Sequence, residues 1–385
     1  MGNIKNKTPA TVKKSQCYNC LMKVTLNRDD FYNLLEMAGR ISTKHITLPV
    51  LQCVLIEAKE GKVVLRATNL EVAIEAVLNA EVVTEGKVAV PASILLQTIN
   101  LVNQKSVTLS FVDNSLEVDG SGSKTQIKSI PHEEFPSIPQ VSGSGQVING
   151  SLFSLGIKST AFAASLSSIK PELGSVNVFQ KKEHTLTFVS TDSFRLFEKT
   201  VPQKGVVLND AVLIPQKNAI EIARVCDVVG GDPKLKVNDH QLALEFENGV
   251  TITSRLVAGA FPDYEQIIPK EYSTHTTLLK EDLSHAFKKT NIFLNKFFQV
   301  SLSFTKDSVT VTAGNNDVGN TTESIRASTD GEDLSLSFNQ KYIGEALPHF
   351  TDDSITIHLS GIGRPMVIKG VNDTSVRYLV MPMNK

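Results

Sequence analysis

Apolar and polar positions alternate between two periods along the chain, and the same order of periods occurs three times. Apolar residues at 31, 34, 35 and 38 follow the i, i+3, i+4, i+7 spacing of one helix face. The spacing recurs at 283–290, and another helix is predicted from Ser151 onward. Each helix is followed by a strand-like segment that ends at Asn69, Asp192 or Asn315, and these residues are 123 positions apart. The pattern predicts one structural unit repeated three times.

The second half of each repeat has its own landmark. Strand-like segments end at Pro91, Pro215 and Asn339, which are 124 positions apart, and each landmark opens a helix. Proline suits a first helical position because its φ is already helical and the donor that it lacks is not needed there. Helical spacing and then a period of two follow each landmark. The predicted helical stretches are 95–102, 219–226 and 343–350, and the predicted strands are 107–112, 242–246 and 355–359.

The repeats divide the chain into three domains of similar length. Pro136 and Pro262, each in a Phe-Pro pair, lie 126 positions apart near the ends of the first two repeats. The segments 142–145 and 268–271 are typical of linkers. We predict domains at 22–144, 145–270 and 271–385, after a disordered or loosely attached extension at 1–21. Two amphipathic helices and several antiparallel strands per domain predict an α+β fold with the helices packed on sheet.

Composition limits the partners that the chain can bind. Its 385 residues include 39 basic and 40 acidic side chains, a formal net charge of −1. A tight duplex binder usually carries a basic excess, so any DNA contact is expected to be local or weak. With no Trp and 6% aromatic residues, little is available to stack on exposed bases. No apolar stretch is long enough to predict a membrane span, and four cysteines fit a reducing cytoplasm better than a disulfide scaffold.

Motifs of common enzymes are absent from the sequence. There is no nucleophile elbow, no His-Glu-x-x-His pair and no phosphate loop, although 120–125 faintly resembles the last. The best catalytic material is Thr191 and Asp192 with Arg195, but the repeat equivalents of Asp192 are asparagines, as expected of a structural turn. A hydrolytic enzyme that uses these three residues is one alternative function for the chain. A non-replicative repeat-built protein, such as a surface adhesin, is another.

Cys17 and Cys20 form the one Cys-x-x-Cys pair of the sequence. A structural zinc site needs four ligands, and no second cysteine pair or close histidine pair is present. A redox pair would open a helix in a βαβ unit, whereas this one lies in the predicted extension. We expect neither a metal site nor a cofactor.

Six short segments stand in a characteristic order: Leu-Pro-Val-Leu at 48–51, Ala-Thr-Asn-Leu-Glu at 67–71, Lys-Pro-Glu-Leu-Gly-Ser-Val at 170–176, Ser-Thr-Asp-Ser-Phe-Arg-Leu at 190–196, Phe-Pro-Asp-Tyr at 261–264, and Tyr-Leu-Val-Met-Pro-Met at 378–383. In this order and spacing they resemble the bacterial replicative sliding clamps, the β subunits of DNA polymerase III. The resemblance covers 22–385. Ser193 and Phe194 stand where the family usually has Gly and His, and Lys170 stands for an Arg. The chain ends Asn384-Lys385 where some members carry Arg-Leu, and the extension has no counterpart.

The resemblance implies a non-enzymatic homodimer, joined head to tail, whose six domains close a ring around duplex DNA. Helices would line the hole and continuous sheet would form the rim, so paired edges leave no strand open to aggregation. Retention on DNA would be topological, which suits the near-neutral charge because many phosphate contacts would stop sliding. The implied partners are the polymerase III α subunit, the clamp loader, and other polymerases and repair proteins with clamp-binding motifs. No membrane partner is expected.

The resemblance also implies a hydrophobic cleft between the second and third domains that receives short peptide motifs. Methionines in the matching set suit this role because their side chains adapt to varied apolar partners. The alternative is that Met381 and Met383 fill the core of the third domain. The matching positions are Leu173, Thr191, Ser193, Phe194, Arg195, Leu196, Pro262, Ile267, Asn339, Tyr342, Leu379, Met381, Pro382 and Met383.

Basic residues and a few apolar ones are candidates for the two remaining surfaces. The candidate DNA contacts are Lys44, His45, Lys170, Lys217, Arg224, Lys288, Lys289 and Lys341. The alternative for each is an ordinary solvated side chain. By family position we place Ile127 on one side of the subunit interface, with Ile292 and Phe293 on the other. Core packing within the chain is the alternative for these three.

Overall fold

The computed structural model describes residues 20–42, 47–120, 122–167 and 169–383. The chain divides into two compact units between Ile138 and Pro139. The first unit holds the first predicted domain up to residue 138, and the second unit holds its last residues, 139–144, together with the other two predicted domains. Each unit is described by itself.

The first unit contains two helices and two antiparallel sheets. The helices are α1 (Arg28–Ile41) and α2 (Ala92–Asn100). The strands are β1 (Cys20–Asn27), β2 (Cys53–Lys59), β3 (Lys62–Thr68), β4 (Val72–Asn79), β5 (Glu81–Thr84), β6 (Gly86–Pro91), β7 (Ser106–Val112), β8 (Ser115–Asp119) and β9 (Lys124–Lys128). One sheet has the order β5-β1-β7-β8-β9, and β4-β3-β2-β6 are neighbours in the other.

Helix α1 shows how local sequence sets an element. The side chain of Asn27 accepts hydrogen bonds from the backbone amides of Asp29 and Asp30, which satisfies two of the donors left over at a helix start. The two aspartates also place negative charge near the positive end of the helix dipole. Phe31 and Leu35 are fully buried, one helical turn apart on the same face. The predicted apolar face therefore packs on sheet.

The second unit contains four helices and sixteen strands among the described residues. The helices are α3 (Gly150–Thr160), α4 (Gln216–Val229), α5 (Lys280–Thr290) and α6 (Gln340–Ala346). The strands are β10 (Gln146–Val147), β11 (Ser175–Phe179), β12 (Thr185–Thr191), β13 (Arg195–Pro202), β14 (Val212–Pro215), β15 (Lys234–Val237), β16 (Gln241–Glu245), β17 (Val250–Arg255), β18 (Thr274–Leu279), β19 (Gln299–Thr305), β20 (Ser308–Asn315), β21 (Gly319–Gly331), β22 (Leu334–Asn339), β23 (Ser354–Leu359), β24 (Met366–Gly370) and β25 (Val376–Val380).

One large sheet joins the second and third repeats. Its order is β14-β11-β12-β13-β25-β24-β23-β18-β21-β20-β19-β22, while β10-β15-β16-β17 are neighbours in the other sheet. The joint is the antiparallel pair β13–β25, in which Leu196 lies opposite Leu379 and Phe197 lies opposite Tyr378. Because side chains alternate between the faces of a strand, the two pairs point to opposite sides.

The two sides of this joint belong to two hydrophobic clusters. Phe197 and Tyr378 lie in the main core of the third repeat, with Leu283 and Phe287 of α5. Leu196 and Leu379 lie in a second cluster on the opposite face, which we call the outer cluster. Its buried members are Val189, Leu196, Tyr264, Val367 and Leu379, and Phe179, Phe261, Ile268, Tyr272 and Met381 pack against it partly buried.

The prediction of three α+β repeats with two helices each is confirmed. Some boundaries differ from the sequence prediction. The first strand begins at Cys20 rather than near Met22, and Pro91 and Pro215 are helix N-caps instead of first helical residues. Val102 and Phe350 lie beyond the ends of their helices, although both are buried. None of the helices in the described part of the chain could cross a membrane.

Candidate partner-binding site

The turn between β12 and β13 is held by its own side chains. Asp192 Oδ1 accepts from the amides of Phe194 at 2.9 Å and Arg195 at 3.0 Å. The Thr191 hydroxyl donates to the Arg195 carbonyl at 2.6 Å and accepts from the Ser193 amide at 3.1 Å. Ser193 has a φ of 78°, a left-handed conformation that favours glycine. The turn thus presents Phe194, which is 60% exposed, at its tip.

The first repeat builds the same turn from equivalent residues. Asn69 Oδ1 accepts from the amides of Glu71 at 3.0 Å and Val72 at 2.8 Å. The Thr68 hydroxyl donates to the Val72 carbonyl at 3.0 Å, and Leu70 has a φ of 75°. The repeat equivalence of Asp192 and Asn69 supports a structural turn at this position. Asp192, the candidate acid of a hydrolytic mechanism, thus has a structural role in this turn.

Arg195 lies below this turn, on the face opposite the outer cluster. Its Nη2 donates to the Phe162 carbonyl at 2.9 Å, its Nε donates to Asp192 Oδ2 at 3.1 Å, and its Nη1 pairs with Glu345. The guanidinium lies 4.6 Å from the centre of the Tyr342 ring. Burial lowers the pKa of Arg195, but the hydrogen bond of Glu345 and the charges of Tyr378, Glu345 and Asp192 together raise it by more, so the net shift is upward. Arg195 therefore joins the second repeat to α6 and is 8% exposed, which favours positioning over direct peptide contact.

The end of the chain closes over the outer cluster. The Met381 amide donates to the Phe194 carbonyl, and the Met383 amide donates to the Ser337 carbonyl, each at 2.8 Å. Met381 packs partly buried against the outer cluster. This bears on the alternative for Met381 and Met383, since Met381 packs on the outer face rather than in the main core of the third repeat.

The remaining predicted pocket residues lie at several depths. Ile267 is 48% exposed and Pro262 is exposed, while Pro382 and Met383 are half-buried. Leu173 is buried in the turn before β11. Asn339 caps α6, and the Tyr342 carbonyl accepts from the Tyr378 hydroxyl at 2.8 Å.

The outer cluster and its exposed rim together form an apolar surface shared by two repeats. Phe194 and Ile267 are large exposed apolar side chains, and Met381 adds an adaptable one. Three grooves of the second unit, lined for example by Asp210, His285 or His184, contain none of the predicted pocket residues. The exposed and partly buried apolar side chains of this surface suit contact with a short apolar segment.

A polar network that the sequence did not reveal fixes the segment between the second and third repeats. The Tyr264 hydroxyl donates to Glu198 of β13, and Arg377 Nη2 of β25 donates to Glu198 at 2.8 Å and Glu265 at 3.1 Å. Lys181 also pairs with Glu265. The Phe-Pro-Asp-Tyr motif was visible in the sequence, but its partners lie 66 and 113 positions from Tyr264 and carry no local signal.

The predicted DNA contacts fall into distinct environments. Lys44 and His45 lie outside the described residues. Lys170, Lys217 and Lys288 are exposed, and none of the ion pairs between described residues involves them. These three exposed lysines remain candidates.

The other three basic candidates have partners within the chain. Lys289 pairs with Glu323 at 2.9 Å, and Lys341 Nζ lies 3.5 Å from the centre of the Phe298 ring. Arg224 is half-buried on α4, with its Nε 3.5 Å from Glu221. Exposed ion pairs are weak, so these partners reduce but do not remove the capacity to contact phosphate.

The three residues predicted at the subunit interface differ in how far their side chains are exposed. Ile127 is 3% exposed and lies opposite Leu116 within the first unit, so its side chain packs in the chain's own core, as the alternative for this residue holds. Phe293 is partly buried against the main core of the third repeat. Ile292 is 69% exposed and is the one of the three that offers a surface to another subunit.

The cysteines and potential metal ligands add little to this site. Cys53 and Cys226 are buried free thiols, and burial raises the pKa of each to about 12. Cys17 lies outside the described residues, and only the backbone of Cys20, in β1, is described. Among the described residues no group of three or more His, Cys, Asp or Glu side chains could hold a metal ion.

Sequence models of one family match consecutive parts of the chain. The N-terminal domain of the DNA polymerase III beta subunit matches residues 22–139, the central domain matches 147–263, and the C-terminal domain matches 265–384. The chain belongs to the DNA polymerase III beta subunit family. The resemblance seen in the sequence is thereby confirmed.

Individual sliding clamps agree with this assignment over nearly their whole length. The chain is 27% identical over 376 residues to the beta sliding clamp of Staphylococcus aureus and 26% identical to that of Staphylococcus epidermidis, covering 94% of this chain and 99% of each relative. The crystal structure of the DNA polymerase III beta subunit from Thermotoga maritima superimposes with a TM-score of 0.89 at 23% identity, covering 94% of this chain and 100% of the other. The Bacillus subtilis sliding clamp gives 0.89 at 21% identity, covering 94% and 99%.

Membership of the sliding clamp family settles the broad function. The chain acts in DNA replication as a polymerase processivity factor. The family role is non-catalytic, which agrees with a site made of apolar side chains and a structural turn.

Proposed function

We propose that two copies of this chain close a ring around duplex DNA in the cytoplasm, and that each copy binds short peptide motifs of its partners at the outer cluster. The partners of this proposal are the polymerase III α subunit, the clamp loader, and other polymerases and repair proteins. Family membership supports tethering of polymerases to DNA.

One observation carries the peptide site: β13 and β25 build a single apolar cluster from two repeats and leave an apolar rim around it. Leu196 and Leu379 lie opposite each other in the cluster, and Met381 covers them partly. Phe194 stands exposed beside Met381, joined to it through the backbone. An exposed apolar surface of this kind is typical of an interaction site, because a lone soluble chain gains nothing from exposing it.

The rim also suggests which peptides are preferred. Phe194 replaces the histidine that is usual in the family, so this position carries no titratable or hydrogen-bonding side chain. Ile267 and Met383 add further apolar contact area. We therefore expect peptides with large apolar or aromatic anchors to bind more tightly than peptides whose anchors are polar.

The charge of the helices supports topological retention on DNA. Helix α2 carries no charged residue, and α4 carries two cations, Lys217 and Arg224, and two anions, Glu221 and Asp227, so neither helix has a net charge. Few phosphates could be neutralised by such helices, so direct binding would be weak and would fall further with salt. A ring needs no strong contact, since it leaves DNA only by opening or at an end.

Retention on circular and linear DNA tests the ring. The protein is loaded onto nicked plasmid with a clamp loader and ATP, and half of the sample is then linearised before gel filtration. We expect the protein to stay with the circle and to be lost from the linear form. Blocking both DNA ends with bound streptavidin should restore retention. Equal loss from circular, linear and blocked DNA would contradict the ring.

A further inference from the structure

Two histidines face each other on neighbouring strands of the third repeat. His275 of β18 lies opposite His358 of β23 in the antiparallel register. Their Nδ1 atoms are 2.8 Å apart, and the ring centres are 5.1 Å apart. His275 is exposed and His358 is half-buried under the ring of Tyr272, whose centre lies 5.0 Å away. Neither histidine takes part in the partner-binding site.

The separation of the two nitrogen atoms matches that of two ligands on one metal ion. Imidazole nitrogens bind zinc at about 2.0–2.1 Å, so two of them at tetrahedral or right angles lie about 2.9–3.4 Å apart. A small rotation of either ring would open the observed 2.8 Å to this range. The strand ladder holds the backbone of both residues, which leaves little conformational freedom to lose on binding.

Two charged side chains of the neighbouring strands lie beside the pair. Lys369 of β24, whose Nζ lies 5.9 Å from the centre of the Tyr272 ring, opposes a bound cation. Asp330 of β21 lies opposite His275 on the other side of β18, so a carboxylate is the cross-strand neighbour of this histidine.

We propose that His275 and His358 together bind one divalent transition-metal ion of the class that prefers imidazole, such as Zn²⁺, Ni²⁺ or Cu²⁺. Each histidine binds through Nδ1 and keeps its proton on Nε2, so a neutral pair releases no proton. No third His, Cys, Asp or Glu among the described residues stands close enough to complete a closed site, so water fills the remaining positions. A two-ligand site of this kind binds reversibly. It differs from a structural zinc site, which is closed by four protein ligands.

A shared proton is the competing explanation for the short contact. In that case one Nδ1 donates to the other, and the pair is a neutral hydrogen bond with no affinity for metal. The two explanations differ in what happens when metal is added. A metal ion removes the hydrogen bond and needs both nitrogen lone pairs, so loss of either ring should abolish the site.

Calorimetric titration of the full, tag-free chain with Ni²⁺ at neutral pH tests the site. We expect saturable binding of one Ni²⁺ per chain, tighter binding of Cu²⁺, and no binding of Mg²⁺ at the same concentrations. His275→Asn and His358→Asn should each weaken Ni²⁺ binding at least about tenfold. Removing a residue that only hydrogen-bonds to a metal ligand already costs about ten- to hundredfold in affinity, and these variants remove a ligand itself. His184→Asn, which changes an exposed histidine elsewhere, should bind like the unmodified chain.

Each outcome separates the two explanations. Loss in both variants with retention in His184→Asn supports the metal site. Equal binding by all four proteins, or no saturable Ni²⁺ binding by the unmodified chain at millimolar concentration, overturns it. Thermal melting without metal checks that His358→Asn still folds. Because His275 is exposed, His275→Asn decides the matter even where the half-buried residue does not tolerate change.

Discussion

At the scale of single residues, the turn after β12 and the equivalent turn after β3 are each held by one side chain that accepts hydrogen bonds from the backbone. The repeat equivalence of Asp192 and Asn69 identified a structural turn, and both side chains accept from backbone amides two and three positions onward. The burial of Arg195 could not be predicted, because it depends on Glu345 and Phe162, which lie far away in sequence. Local hydrogen bonds leave a sequence signal, whereas tertiary partners do not.

The strain at Ser193 leads to a prediction for stability. A φ of 78° costs an L-residue about 1–2 kcal/mol, and glycine avoids this cost but loses about 0.5–1 kcal/mol through its freedom in the unfolded chain. We therefore expect Ser193→Gly to raise the free energy of unfolding by about 0.5–1 kcal/mol, measured by urea denaturation. Ser142→Gly, in a loop where φ is not positive, should be slightly destabilising. A lower stability of Ser193→Gly would show that the turn is not strained.

The exposed ring of Phe194 leads to a prediction for binding. If it anchors partner peptides, Phe194→Ala should weaken a polymerase-derived clamp-binding peptide by about 1–2 kcal/mol, or roughly five- to thirtyfold in dissociation constant. Folding should be unaffected because the ring is 60% exposed. Val228→Ala on α4 removes an apolar side chain of matched exposure, 59%, and should leave the affinity unchanged. Equal affinities of Phe194→Ala and Val228→Ala for the peptide, measured by calorimetry, would mean that the peptide binds at another surface.

At the scale of elements, helices and hairpins were predictable, while the joint between the second and third repeats was not. The apolar spacing of α1, α4 and α5 agrees with the buried faces of those helices. The pairing of β13 with β25 joins strands about 180 positions apart, and periodicity within a strand does not specify a distant partner. The outer cluster is built across this joint, so it could be located only with the structure.

The Tyr264 network makes a testable contribution to the joint. Tyr264→Phe removes the hydrogen bond to Glu198 but keeps the ring, and should lower the free energy of unfolding by about 1–2 kcal/mol. Tyr272→Phe is the matched control, since Tyr272 also packs against the outer cluster but none of the hydrogen bonds described involves its hydroxyl. We expect the control to be nearly neutral. Equal loss in both variants would mean that the ring surroundings, not the hydrogen bond, matter.

The same hydroxyl gives a dependence on pH. Burial, then the charge and hydrogen bond of Glu198, raises the pKa of Tyr264 above its ordinary value near 10. The unfolded chain loses this proton above about pH 10 while the folded chain keeps it, so the stability that the proton confers is present below pH 10 and is lost as pH rises further. Urea denaturation at pH 9 and 11 should show a smaller loss for Tyr264→Phe than for the unmodified chain. Identical losses would contradict the assignment.

At the scale of the whole molecule, the sequence repeats predicted the fold class. They did not predict which strand edges are free to pair with a second subunit, because that depends on how distant strands pair within the chain. Among the described strands β9 pairs only with β8, and residues 319–326 of β21 pair only with β20. An open edge invites pairing with another chain. The short helical turn with Ile292 and Phe293 contacts β21. A head-to-tail contact between the β9 edge of one copy and the β21 edge of another would cover both.

The exposed Ile292 tests this contact more cleanly than the neighbouring phenylalanine. Phe293 packs against the main core, so a charge there would disturb folding as well as association. Ile292→Asp changes a side chain that is 69% exposed and should leave the isolated chain folded. At a closed interface the same carboxylate would be buried without a partner, at a cost of about 3–5 kcal/mol, or roughly a hundredfold to several thousandfold in dissociation constant. We therefore expect sedimentation velocity to show a folded monomer near 42.0 kDa in place of a dimer.

Ile362→Asp separates association from a general effect of charge. Ile362 is 84% exposed in the loop between β23 and β24, and β18 separates these strands from the open edge of β21 in the sheet order, so this variant should remain a dimer. The monomer formed by Ile292→Asp should still bind clamp-binding peptide, because the outer cluster is complete within one chain. It should also be lost equally from circular and linear DNA, since it cannot close a ring. A dimer that persists in Ile292→Asp would show that the subunits meet through another surface.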